Sequence, residues 1–81
     1  MAPETTIRQA TSADEFALRR LAHLDDRPAL HGTVLLAEQA GDIRAAMSIE
    51  DGRTIANPFA PTAGLVETLR AHGRYVAAVA A

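Results

Sequence analysis

The stretch Thr33 to Glu50, TVLLAEQAGDIRAAMSIE, constrains the fold more than any other part of the chain. Two apolar runs, Val34 to Ala40 and Ile43 to Ile49, flank a short break that contains glycine. Runs of this length joined by a glycine-bearing pair specify an antiparallel hairpin. The turn is either Ala40-Gly41 or Gly41-Asp42. Under both choices even-numbered residues of the first strand oppose odd-numbered residues of the second. One sheet face is then expected to carry Val34, Leu36, Ile43, Ala45, Met47 and Ile49, and the other Leu35, Ala37 and Ala46. Both faces are apolar, so both need cover.

The flanking segments supply it. Thr5 to Ala10 is short and mixed, with Ile7 as its one large apolar residue, and suits an edge strand. Ser12 with Glu15 forms a capping box, in which each side chain satisfies a free backbone donor, and the apolar spacing of Ala17, Leu18, Leu21, Ala22 and Leu24 predicts an amphipathic helix from about Ala13 to Leu24. Pro28 and Gly32 make the following residues a loop. Asp51-Gly52 predicts a type I′ turn that folds Arg53 to Ala56 back as a third hairpin strand, with Ile55 on the face of Leu35, Ala37 and Ala46. Pro58 and Pro61 end that strand, and Thr62 is placed to cap a last helix through Leu65, Val66 and Leu69. Gly73 either stops this helix or is tolerated in it. Continuation to about Val79 is preferred over an extended Arg74 to Val79, because the alanine-rich end is helix-forming. The expected fold is an α+β domain of three layers, β-α-β-β-β-α, with a mainly antiparallel sheet and one helix on each face.

Size and composition bear on partners. A single domain of 81 residues buries about 60 to 65 per cent of its unfolded surface, and with no cysteine it has neither disulfides nor a thiolate metal site to help it. Self-association is the remaining ordinary source of stability, so a homo-oligomer, a dimer first, is expected. A net charge of −2 with interspersed signs gives no basic stripe for nucleic acid. Met1-Ala2-Pro3-Glu4 lacks the basic and apolar regions of a leader, and no apolar run approaches the roughly 20 residues of a membrane span, so no membrane association and a cytoplasmic location are expected.

The segment TIRQATSAD before a leucine-rich helix, the run LLAE-x-x-G-x-I-x-AA, and Asn57-Pro58-Phe59-Ala60-Pro61-Thr62 together resemble the amino-terminal half of the GNAT acyltransferase superfamily, over about Ile7 to Leu69. The resemblance implies the three-layer fold above and, in the superfamily's enzymes, acetyl-CoA held by a glycine-rich loop at a helix start. Two features depart from it. The hairpin turn has Ala40-Gly41 where members commonly carry Asp-Gly or Asn-Gly. The Arg/Gln-x-x-Gly-x-Gly/Ala signature is absent from Asn57 to Gly64, where Pro58 and Pro61 lack the N–H groups that such a loop supplies, and the sequence ends where further strands of an acetyltransferase would begin. The expectation is a non-catalytic GNAT-like domain that works through contact with another copy or another protein, with no cofactor. The alternative is an N-acyltransferase or acyl-CoA-binding protein whose site is non-standard or completed across a dimer.

Candidate site residues follow from both readings. Glu38 falls by parity on the face of Val34 and Leu36, where a carboxylate must reach the sheet's end, pair with an arginine, or serve as a general base. Thr62 and the amides of Ala63, Gly64 and Leu65 could meet an anion at a helix start. Tyr75, the one tyrosine, matches in type the general acid of some GNAT enzymes, although an amphipathic ring on the last helix or at a subunit contact suits it better. His23, Asp25, Asp26 and His31 are the densest set of potential metal ligands, but a helix end and a polar loop explain them, and no metal is expected. Met47 and Phe59 read as core. Ala78-Val79-Ala80-Ala81 resembles apolar tails read by bacterial unfoldase–protease systems, as does any alanine-rich helix end.

Overall fold

The computed structural model describes residues 4–80; Met1 to Pro3 and Ala81, which carry the start of the leader reading and the end of the tail reading, lie outside the described residues. Strands β1 (Thr5–Gln9), β2 (Val34–Gln39), β3 (Asp42–Ser48) and β4 (Thr54–Ala56) form one sheet in that order, antiparallel throughout. Helix α1 (Glu15–Leu24) joins β1 to β2 and helix α2 (Ala63–Ala80) follows β4. Each helix covers a different face. Leu21 and Ala22 of α1 pack with Val34, Leu36, Ala46 and Ile55; Leu65 and Leu69 of α2 pack with Leu35, Ala37, Ala45 and Met47. The outcome is the α+β architecture of three layers that the two apolar faces demand.

The division of faces differs from the expected one at β3. Ala40 and Gly41 both have positive φ, +54° and +82°, so the turn is the Ala40-Gly41 alternative in type I′ form, and Glu38 pairs with Ile43. The register then slips between Ala37 and Glu38, because Ala37 pairs with Ala45 and leaves Arg44 as an extra residue. This β-bulge flips every later side chain of β3. Ala45, Met47 and Ile49 therefore face α2 in place of α1, and Ala46 with Ile55 faces α1. Ile55 lies opposite Ala46, not opposite Ser48 as the two-residue turn would set it; it shares the face of Ala46 as expected, but neither shares a face with Leu35 and Ala37.

Three local expectations are also corrected. The turn before α1 is capped one residue earlier: Thr11 donates its N–H to the Asp14 carboxylate at 2.7 Å, a 3₁₀ turn spans Ser12–Asp14, and α1 starts at Glu15. Asp51-Gly52 is not a two-residue turn; Ser48 pairs with Arg53 and Gly52 donates to Ser48 at 2.9 Å, so residues 49 to 52 form a longer loop that ends on a left-handed glycine. Phe59 is 83 per cent exposed and is not core. The Asn57 side chain pins that bend by accepting the Phe59 N–H at 2.8 Å, which leaves the ring no structural role there.

Helix α2 runs through Gly73, as preferred. A Cβ on Gly73 would run into the Met47 methyl, so the glycine lets the helix backbone sit directly on that side chain. Among the described residues no helix is long and apolar enough to cross a membrane.

Candidate functional site

Glu38 stands where the sequence places it, half-buried near the end of β2 on the α1 face, and its partner is an arginine. Arg8 of β1 lies across the strand pair and donates its Nε to Glu38. The same guanidinium donates Nη1 and Nη2 to the two oxygens of Asp14, each at 2.8 Å. Asp14 is 8 per cent exposed and also holds the Thr11 amide. One planar cation thus ties β1, β2 and the start of α1, an arrangement that a lysine ammonium cannot reproduce. The Arg8 bond, reinforced by the Thr11 amide, holds the Asp14 carboxyl well below the usual carboxylate range, and Asp14 in turn raises Arg8. Sequence reading does not single out Arg8; its alternation with Ile7 along β1, against a carboxylate on β2, is the signal that could reveal it.

A second carboxylate is likewise engaged. Glu50 accepts the Thr33 amide with both oxygens, at 3.0 and 2.9 Å, and these bonds lower its pKa. Ser48, buried beside it, donates its hydroxyl to the His31 carbonyl at 2.9 Å. Gly32, at φ +74°, passes so close that a Cβ would run into the Glu50 carboxylate. The result fastens the loop after α1 to the β3–β4 connection. The candidate ligands in that loop do not converge: Asp25 accepts the outward Ala56 amide of edge strand β4 at 3.1 Å, while His23, Asp26 and His31 are exposed. Among the described residues no group of three or more metal-ligating side chains occurs.

The bend before α2 has few free donors of its own. Pro58 and Pro61 have no N–H, Phe59 gives its amide to Asn57, and Ala60 donates to the Asn57 carbonyl at 3.3 Å. The Thr62 hydroxyl makes no capping bond among the described residues; its carbonyl accepts the first helical bond, from Val66 at 2.9 Å. The amides of Ala63, Gly64 and Leu65 meet no acceptor among those residues, the ordinary state of a first helical turn. Tyr75 lies on the outer side of α2, 69 per cent exposed, and Glu38 lies on the opposite face of the sheet, so the two do not form one site.

Several grooves border the helices. One of about 310 Å³ runs between α1 and the hairpin end, with Phe16, Arg20, Leu24, Ile43 and Arg44 in its walls. Another, about 340 Å³, lies between Arg70 and Arg74 of α2 and a floor of Met47 and Ile49. Large apolar side chains stand out on the surface: Phe16 is 78 per cent exposed, Phe59 83 per cent, Tyr75 69 per cent and Val79 67 per cent. Comparison with protein-family models, with curated proteins and with solved structures returned no match. The surface carries exposed apolar area and arginines, while the carboxylates with lowered pKa are occupied in structural bonds.

Proposed function

We propose that this chain is a non-catalytic GNAT-like domain that acts through protein contact, as a homodimer. The observation that carries the reading is the exposure of Phe16, Phe59, Tyr75 and Val79, whose burial would stabilise a domain with a small core of its own. The sheet adds an open edge at β1, whereas the three-residue β4 already gives its outward Ala56 amide to Asp25. The element order and the antiparallel sheet are in keeping with the GNAT resemblance, and the proline-flanked bend supports a role without coenzyme.

The acyl-CoA alternative draws on the unbonded amides of Ala63 to Leu65. Isothermal titration with acetyl-CoA separates the two readings. No heat of binding at millimolar coenzyme is expected, and saturable micromolar binding contradicts the non-catalytic reading. Sedimentation equilibrium tests the dimer.

A further inference from the structure

Helix α2 has an apolar surface wider than the sheet uses. Its buried side carries Leu65, Leu69 and Gly73, with Val66 and Val76 half-buried beside them. On the adjoining flank Gly64, Thr68, Ala71, Tyr75 and Val79 recur every three or four positions and all are exposed. A solvated helix flank is ordinarily charged, so a continuous stripe without charge marks a surface that another element covers.

We propose that a second copy of this chain covers it, with its own α2 packed antiparallel against the stripe and the crossing at Ala71. This rests on the dimer reading above and deepens it by naming the surface. Two properties of the stripe select a copy of itself as occupant. Its amino-terminal residues are small and its carboxy-terminal ones, Tyr75 and Val79, are large, so an antiparallel pair sets the large end of each helix over the small end of the other. The glycine and alanine let the axes approach to about 8 Å. The charges agree. Glu67 and Arg74 are seven residues apart, border the stripe on the same side, are exposed, and enter no ion pair among the described residues. Two-fold antiparallel pairing brings Glu67 of each copy to Arg74 of the other, on either side of the crossing, whereas a parallel pair aligns like with like. Since α2 has 18 residues and so a length of about 27 Å, the contact is at the small end of stable interfaces.

Charge reversal tests the pairing. Sedimentation velocity over a micromolar concentration series is run on the full chain and on E67R, R74E, E67R/R74E, Y75E and, on the opposite sheet face, F16E, with far-UV circular dichroism to verify that each variant is folded. All these positions are exposed, so the fold is expected to survive. The expected result is a dimer that each single reversal weakens about tenfold, that the double reversal restores, that Y75E abolishes and that F16E leaves unchanged. A dimer indifferent to Y75E and to both reversals overturns this surface and leaves the homodimer reading standing. A chain monomeric at every concentration overturns both.

Discussion

Arg8 and Glu50 each hold together segments far apart in the chain, and their behaviour is set by a few bonds. In an unfolded chain Asp14 titrates near about pH 4, and in the fold the Arg8 and Thr11 bonds keep it ionised to lower pH. The stability it contributes is therefore fully present above about pH 4 and is lost as pH falls through the more acidic range; Glu50, also lowered, acts in the same sense. Urea midpoints measured from neutral pH down to about pH 3 should fall for the wild type, and the acid part of that slope should be shallower in D14N. Gly32 and Gly41 separate two costs. Both have positive φ, but at Gly41 a Cβ meets nothing within 4 Å, whereas at Gly32 it strikes the Glu50 carboxylate and breaks its hold on Thr33. G41A is expected to cost about 1 kcal/mol, in line with the left-handed Ala40 beside it, and G32A up to about 3 kcal/mol, both read from denaturant unfolding.

Among the elements, β3 and α2 show where pattern reading holds and where it stops. Hairpin, helices and edge strand were legible because apolar spacing, capping residues and prolines act locally. The bulge at Arg44 is not: Asp42 to Ile49 reads as a regular strand, and only the pairing shows the slip that sets Leu35 with Met47 against α2 and Leu36 with Ala46 against α1. Strict alternation therefore misplaces Ala45, Ala46, Met47 and Ile49, although Ala40-Gly41 is one of the two turns that the sequence allows. Phe59 was misread as core because its burial depends on cover that neither helix supplies. The place of Glu38 near the end of β2 is legible, with solvent, an arginine or a catalytic role left open; the pair with Arg8 and its extension to Asp14 arise from pairing of β1 with β2, a contact between distant segments. Gly73 links α2 to this sheet. Against wild-type Met47 the new methyl meets the far end of a flexible side chain that must swing toward the adjoining groove, so G73A keeps only part of its helix-propensity gain; in an M47A background the same change should stabilise by about 1 kcal/mol. A double-mutant cycle of unfolding free energies checks that difference.

For the whole molecule, two helices on opposite faces of a four-stranded sheet leave apolar side chains on both helices and at the bend between β4 and α2. A chain of 8.6 kDa gains stability by covering them, and the self-complementary flank of α2 gives one way to do so with a second copy. Melting temperature should accordingly rise with protein concentration, by an amount that Y75E removes. The most direct test is sedimentation equilibrium of the wild-type chain from low to high micromolar concentration. The account predicts an average mass that climbs from 8.6 kDa toward twice that value, and a mass fixed at 8.6 kDa throughout contradicts it.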